Sequence, residues 1–371
     1  MKKLLIATDC FLPRWDGIVR FLLEIIPKLK EEYEITILAP NFGEYKTIPD
    51  VNVIQFSVFK FNFGDIEFSG FNYSKIKKYV KESDLVFVQT IGPIGTDAIK
   101  AAKKLKIPVI AYVHSIEWEL TTRSLNKFKW LVNKLTKWYA RRHYNRCNLL
   151  IVPSIEVEEK HKKNGIYTDK EIVHLGTDVE KFKQIIDKKE AKLKLGFDPY
   201  KNIVGFSGRI GREKDLITLY RAFRRIEKKF IDVQLLIVGK GVKELEEIFS
   251  SNRNIILPGC VNNVEDYYRA MDIFVLPSLT ETSSLATMEA MASSLPVVTT
   301  PVGFVKEYIQ EKKNGMFFPF KNSLVLSMKL EMLLENDILR ETLGKNARAT
   351  IMSRFRWKHT IEKISEILRR Y

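Results

Sequence analysis
A chain of 371 residues that is 45% hydrophobic and 11% aromatic is globular and long enough for two domains. It has no apolar run approaching the ~20 residues that span a bilayer, and the opening MKKLLIA is cut by Asp9, so it reads as a first strand and not an export signal. Cys10, Cys147 and Cys260 are scattered, without disulfide or metal-ligand spacing, which points to a reducing cytoplasm. The formal net charge is +16. Residues 1–175 hold 28 Lys+Arg against 20 Asp+Glu, and residues 121–147 contribute Arg123, Lys127, Lys129, Lys134, Lys137, Arg141, Arg142 and Arg146 with no acid. That one segment carries the whole excess of the first half.

In chain order, apolar runs occur at 4–7, 35–39, 51–56, 85–89, 109–113 and 149–152, with helical patterns between most of them. A second series follows at 203–206, 235–238, 255–257, 273–276 and 297–299, with a short addition at 316–318. Runs without polar alternation suit parallel strands covered on both faces. The expectation is two doubly wound α/β domains facing a cleft, residues 1–175 and 176–352, with an amphipathic last helix within 353–371.

In the first domain, the turn after the first strand runs through Asp9 and Pro13 to Gly17, where a helix begins. A glycine there lets backbone approach a diphosphate, although a plain turn explains it as well. His114 follows the run 109–113 and faces the ligand side of a parallel sheet, either as a site residue or as a hydrogen-bonded structural one. Glu117 and Glu119 are candidates for acceptor contacts or solvated acids at a helix start. Leu125, Phe128, Leu131, Leu135 and Trp138 then recur at helical spacing, with the cations mostly off that stripe. Such a helix reads as a membrane-surface element touching anionic headgroups through Lys127, Lys129, Trp130, Lys134, Lys137 and Trp138. Packing of the stripe on the sheet, and nucleic acid as partner, are the alternatives.

In the second domain, the strand ending Gly205-Phe206-Ser207-Gly208-Arg209 leads to Lys214. A guanidinium fork and a point charge five residues apart can converge on a diphosphate, whereas Arg212 between them is expected to face water. Strand 273–276 opens into a loop of small polar residues, then a helix from Leu285. Thr282, Ser283 and Ser284 can offer N–H groups to phosphate oxygens at the helix N-terminus. Glu281 and Glu289, eight apart, suit vicinal hydroxyls of a sugar or ribose, although a helix dipole alone also favours an early glutamate.

The Glu-x7-Glu spacing, the EAMA that contains Glu289 and the LPVV strand resemble the signature of family-4 retaining glycosyltransferases, which have the GT-B fold. The segment FLPRWDGIVRFL, the linker HLGTDVEKF and the Gly-Arg…Lys-Asp-Leu pattern are similar to that family too, in the order it requires. One departure stands out: Thr282-Ser283-Ser284 replaces the usual Gly-Phe-Gly. The resemblance implies Gly17 beside the donor phosphate, His114 near the reacting sugar, and Gly208, Arg209 and Lys214 on the pyrophosphate. It also implies Val261 near the base, Glu281 with the 282–285 amides on the sugar and phosphates, and Glu289 on the ribose. The last helix would cross back to the first domain.

The expected function is metal-independent, retaining transfer of a hexose from a nucleoside-diphosphate sugar to an acceptor hydroxyl, with His114, Arg209, Lys214 and Glu281 as the catalytic set and no resident cofactor. FLP…DG looks closest to members that glycosylate lipids, so the expected acceptor is a membrane lipid and the location cytoplasmic, peripheral on the inner face of the cell membrane. Nucleic acid is not expected as a partner. The chain has no Asp-x-Asp, hence the expectation of no metal. Alternatives are the same chemistry on a soluble sugar or sugar phosphate, a nucleotide-sugar epimerase, and a non-catalytic membrane- or polyanion-binding protein on this scaffold. Glu281→Gln and Arg209→Ala are each expected to depress turnover far more than folding.

Overall fold
The unbroken apolar runs become strands buried at every position, as in 85–88, 109–112, 149–152 and 273–276. Only a sheet covered by helices on both faces buries both sides of a strand. The computed structural model describes residues 1–14, 16–63, 66–124, 128–184 and 187–371. These divide into one unit of Met1–His174 with Lys358–Tyr371 and a second of Leu175–Trp357.

The first unit contains β1 (Lys2–Ala7), α1 (Gly17–Leu29), β2 (Tyr33–Pro40), β3 (Val51–Phe56), β4 (Val58–Phe63), β5 (Ile66–Ser69), α2 (Tyr73–Lys81), β6 (Leu85–Val88), α3 (Pro93–Leu105), β7 (Val109–Tyr112), α4 (Glu117–Ser124), α5 (Lys129–Tyr144), β8 (Leu149–Val152), α6 (Ile155–Lys163) and β9 (Lys170–Ile172). Its main sheet is parallel in the order β3-β2-β1-β6-β7-β8-β9. The order reverses between β1 and β6, which places a ligand crevice at their carboxyl ends. Strand β9 and the antiparallel pair β4–β5 are additions to the expected set. Strand β9 is Lys-Glu-Ile and half-buried, so no apolar run announces it.

At that crevice the chain solves a capping problem with a distant side chain. The first-turn N–H groups of α3 have no intrahelical acceptor, and its N-cap, Gly92, has no side chain to offer. Asp9, just beyond β1, supplies the carboxylate: it accepts from Ile94 N at 2.9 Å, Gly95 N at 3.2 Å and the Thr90 hydroxyl at 2.7 Å. Burial raises the Asp9 pKa, against the lowering effect of these donors.

The second unit contains α7 (Lys188–Lys194), β10 (Asn202–Ser207), a single 3₁₀ turn (Arg212–Lys214), α8 (Leu216–Ile226), β11 (Val233–Val238), α9 (Lys243–Ser250), β12 (Ile255–Gly259), α10 (Val264–Ala270), β13 (Ile273–Leu276), α11 (Leu285–Ala292), β14 (Val297–Thr299), α12 (Val305–Tyr308), β15 (Met316–Phe317), α13 (Ser323–Leu334) and α14 (Asp337–Arg354). Its parallel order is β12-β11-β10-β13-β14-β15, reversing between β10 and β13. Both units are therefore Rossmann-like, the architecture of GT-B proteins.

The last helix, α15 (Trp357–Arg369), returns to the first unit. It buries Ile364, Ile367 and Leu368, and Thr360 Oγ1 donates to the His174 carbonyl at 2.8 Å. Arg369 grips both Glu32 oxygens at 2.6 and 2.5 Å. Exposed ion pairs add at most about 1 kcal/mol, so the apolar face does most of the holding. Residues 355–357 stay with the second unit, through Thr177 N to Phe355 O at 2.9 Å and Trp357 N to Thr177 O at 3.3 Å.

Burial in the first unit also sets its response to acid. It lowers the pKa of His114 and His161 to about 3 and of His143 to about 4. Each ring is neutral when folded and free to protonate when unfolded, so the stability it contributes is intact above the ordinary value of 6.5 and lost as pH falls below it. Glu117 acts oppositely: burial pushes it up to about 7 from 4.5, so its contribution is lost as pH rises through that window. With three rings against one carboxylate, urea midpoints should fall between pH 7 and 5, by about 2 kcal/mol of unfolding free energy per ring before the Glu117 offset. His161→Leu should flatten that slope; an unchanged slope would rule out the buried ring as a source.

Candidate active site
In the second unit the switch point between β10 and β13 gathers most of the predicted residues. Just beyond β10 comes Gly208 at φ +147°, followed by Arg209. A Cβ on Gly239 would lie 2.0 Å from the Gly208 carbonyl oxygen, so the turns after β10 and β11 fit together only with bare backbone. The 3₁₀ turn then carries Lys214, and the loop after β13 carries Glu281. Lys214 Nζ donates to Glu281 Oε1 at 2.6 Å, and Ser278 Oγ donates to the same oxygen at 2.7 Å. Cation and carboxylate, 67 residues apart in sequence, thus meet where the strand order reverses.

Arg209 is held by a residue the sequence reading passed over. Its Nη2 donates to Glu213 Oε1 at 2.5 Å, and Glu213 is only 3% exposed. The Glu213 carbonyl also accepts from Leu279 N at 2.8 Å, tying the β10 loop to the β13 loop. Residues 209–211 lie in a loop and 212–214 in a 3₁₀ turn, so the helical i,i+4 rule offered no signal for this pair. Arg212, expected to face water, is exposed. The expectation for Arg209→Ala changes accordingly: it strips the guanidinium from a buried carboxylate, so folding suffers along with turnover.

The loop from Thr282 to Ser284 is fixed through its backbone. The Thr282 carbonyl accepts from Phe304 N at 2.9 Å, and the Ser283 carbonyl accepts from Tyr308 Oη at 3.0 Å. Ser284 caps α11 from the left-handed region, φ 57°, with Leu285 as the first helical residue. A Cβ on Gly303 would lie 2.1 Å from the Glu281 carbonyl oxygen, at φ +51°. Glu289 is 1% exposed and has Tyr268 Oη 2.9 Å from its Oε2. The structure thus gives the predicted ribose ligand a buried partner. Val261 is half-buried just beyond β12, two strands from the switch point.

In the first unit, Gly17 opens α1 beneath Asp16, whose Oδ1 accepts from Ile18 N and Val19 N at 2.9 Å each. A Cβ on Gly17 would meet nothing within 4 Å. Packing does not demand glycine there. His114 sits beyond β7, between the rings of Phe21 and Tyr112 at centroid distances of 4.8 and 4.5 Å. Its Nε2 lies 3.0 Å from Gln89 Oε1. Glu117 and Glu119 have structural partners: Tyr144 Oη donates to Glu117 at 2.5 Å, and Lys160 pairs with Glu119 at 2.7 Å.

The basic helix α5 is inverted relative to ordinary amphipathic packing. Leu131, Leu135 and Trp138 are 46%, 55% and 51% exposed, so the alternative in which the stripe packs on the sheet does not hold for them. Phe128, Lys129, Trp130 and Lys134 are exposed as well, and Lys137 is half-buried. Leu125 and Lys127 lie outside the described residues. The inner face is polar and aromatic: Asn133 Nδ2 to the Trp118 carbonyl at 3.4 Å, Thr136 to Thr121 at 3.3 Å, Tyr139 to Thr96 at 3.2 Å, and buried Ala140, His143 and Tyr144. Among the described residues no three His, Cys, Asp or Glu side chains form a metal-ligating group, and no helix is long and apolar enough to cross a membrane.

Comparison with known proteins covers nearly the same span. Residues 15–181 match "Glycosyltransferase Family 4" and residues 187–350 match "Glycosyl transferases group 1". The chain is 26% identical to the alpha-monoglucosyldiacylglycerol synthase of Acholeplasma laidlawii, over 92% of this chain and 90% of that one. It is 25% identical to the enzyme of the same name from Streptococcus pneumoniae, over 91% and 80%. Among solved structures, Anabaena Alr3699/HepE in complex with UDP-glucose superposes with a TM-score of 0.82 at 19% identity, over 100% of both chains.

Two substitutions separate a binding role from a packing one. Arg209→Lys keeps a cation beside Glu213 but loses the fork; it should leave the melting temperature within a few degrees and weaken nucleoside-diphosphate binding about tenfold, about 1.4 kcal/mol, by calorimetric titration. Gly17→Ala fills open space, so it should leave stability unchanged or slightly raised while raising the donor KM. Wild-type donor affinity in both variants would remove these residues from the site.

Proposed function
We propose that this chain, which belongs to the family-4 glycosyltransferases, moves a hexose from a nucleoside-diphosphate sugar to a hydroxyl of a membrane lipid. The observation that carries the reading is the presence of two ion pairs, Arg209 with Glu213 and Lys214 with Glu281, on the loops at the second unit's switch point. An incoming diphosphate would draw Arg209 and Lys214, each now paired with a carboxylate, onto its oxygens. Their charge, with the N–H groups from Thr282 to Leu285, would stabilise the negative charge that develops as the sugar–phosphate bond breaks. Glu281, released by Lys214, would accept from sugar hydroxyls. Glu289 would serve the ribose, with Tyr268 setting its carboxylate.

His114, neutral, would hydrogen-bond a sugar hydroxyl, while Gly17 leaves room for the phosphates. We assign no carboxylate in these motifs as a nucleophile, and the proposed retention of configuration uses front-face attack, as the family resemblance implies, with the leaving phosphate taking the acceptor proton. The cations supply the charge stabilisation that a metal ion would otherwise give, and the reaction is proposed to proceed without one. Two relatives that synthesise monoglucosyldiacylglycerol and a structural neighbour holding UDP-glucose support UDP-glucose and diacylglycerol as the first pair to test. The outward stripe of α5 supports a peripheral membrane location, Leu131, Leu135 and Trp138 entering the interface and the flanking cations meeting anionic headgroups.

The test is incubation with labelled UDP-glucose and vesicles of diacylglycerol and phosphatidylglycerol, with and without a chelator. Label should enter the organic phase in both, and Glu281→Gln should reduce its rate about 100-fold or more. Label in a soluble product would move the acceptor into water, loss on chelation would overturn metal independence, and donor left intact with every nucleotide sugar tried would overturn catalysis.

A further inference from the structure
Helix α5 ends in a depression that the transferase chemistry does not use. It has a volume of about 410 Å³ and is lined by Trp138, Arg141, Arg142, Asn145, Arg146 and Tyr167, with Gly165 at its base. Three arginines, Arg141 and Arg142 in the last turn of α5 and Arg146 just beyond it, thus line one depression. Among the described residues none of the three pairs with a carboxylate, and residues 121–147 contain no acid.

The depression is built and not merely a crowded helix end. Asn145 pins the loop after α6 from both sides: its Nδ2 donates to the Gly165 carbonyl at 2.8 Å and its Oδ1 accepts from Tyr167 N at 2.8 Å. Thr168 Oγ1 adds a bond to the Tyr144 carbonyl at 2.8 Å. Gly165 stands at φ +80°, and a Cβ there would lie 2.9 Å from Arg141 Cδ, so the bare residue lets Arg141 lie across the loop. Arg142 is held over the Trp138 ring, 5.7 Å from its centroid, an orientation that cation–π attraction favours. Cations in a last turn are favoured by the helix dipole alone. That explains a positive helix end, but not the loop pinned against it by Asn145 or the indole support of Arg142.

We propose that this depression binds the phosphate of an anionic phospholipid headgroup. Planar guanidinium forks suit phosphate oxygens bidentately. The lipid source follows from position: Trp138 belongs both to this lining and to the outward apolar stripe with Leu131 and Leu135, so a headgroup held here would stand beside the residues that enter the acyl boundary. The inference rests on the peripheral-membrane reading above and adds a discrete headgroup site to a diffuse basic face.

The test is flotation with vesicles of phosphatidylcholine alone and of phosphatidylcholine with phosphatidylglycerol, comparing wild type with Arg142→Lys/Arg146→Lys. The double variant keeps every charge and alters only exposed or half-buried side chains. A face that acts through charge alone would bind equally well as either protein; the site predicts a loss of about tenfold in affinity for the phosphatidylglycerol vesicles. Equal affinities overturn it. Glycerol 3-phosphate in solution, at concentrations well below those that screen charge, should not displace the protein. Displacement by it, absent in the double variant, would give the site to a soluble phosphorylated ligand and overturn the lipid assignment. Failure of wild type to float with either vesicle would sink the membrane reading itself, a result distinct from floating without discrimination between arginine and lysine.

Discussion
Burying a carboxylate as deeply as Glu213 is costly unless a cation pairs with it, and the geometry of the second unit's site follows from meeting that demand. Arg209 meets it from four residues earlier, which fixes the fork at the end of β10. The Glu213 carbonyl meanwhile reaches Leu279 N, so the turn that presents Lys214 is locked to the loop that presents Glu281. Two ion pairs and one backbone bond therefore hold four charges in register across the switch point. The arrangement balances two cations against two carboxylates, so the site carries little net charge of its own. The diphosphate proposed above would have to compete with Glu213 and Glu281 for their partners, and what it would gain over them is the fork geometry of Arg209 and the amides of the 282–285 segment.

Those amides are positioned by backbone contacts more than by side chains. Gly303 comes close enough to the Glu281 carbonyl that no Cβ fits, Phe304 N holds the Thr282 carbonyl, and Tyr308 holds that of Ser283. With the carbonyls directed into the protein, the loop can be built from Thr, Ser and Ser in place of glycines and still keep its course. The left-handed Ser284 is the one position where this substitution carries conformational strain, and its side chain answers by capping Thr287 N at 3.4 Å and meeting Thr287 Oγ1 at 2.9 Å.

Much of this was legible from the chain. Unbroken apolar runs announced parallel strands within a residue or two of their ends, because full burial leaves no polar alternation. The Arg209, Lys214, Glu281 and Glu289 positions were readable because each follows a strand that the pattern had already located. What stayed hidden depended on contacts between distant residues. Asp9 as the cap of α3 needs β1 and β6 to be neighbours, and its carboxylate reads in sequence as an ordinary turn acid. Glu213 is the acid in a basic, apparently solvated GREKDL segment, and its burial follows from β13 lying beside β10. Edge strand β9 has too little apolar content to show a period. Glu117 and Glu119, offered as acceptor contacts, took Tyr144 and Lys160 as partners from helices whose placement no local pattern reveals.

Helix α5 shows where pattern and packing part company. Its apolar stripe has the spacing of a core-facing helix, and local reading alone assigns such a stripe to the interior. The structure turns it outward and packs the opposite side instead, using Asn133, Thr136 and Tyr139 for hydrogen bonds to Trp118, Thr121 and Thr96. Those inward polar groups have partners at specific positions on α3 and α4, so rotating the helix to bury the leucines would strand donors and acceptors at about 1–3 kcal/mol each. The leucines and tryptophans left about half or more exposed forgo a large part of the roughly 1.5–3 kcal/mol that full burial of each would contribute. A sequence that satisfies the inner face so specifically while leaving Trp130, Leu131, Leu135 and Trp138 exposed among cations is consistent with an outer face shaped by an apolar, negatively bordered surface beyond the protein itself, and a bilayer rich in anionic lipid has that chemistry.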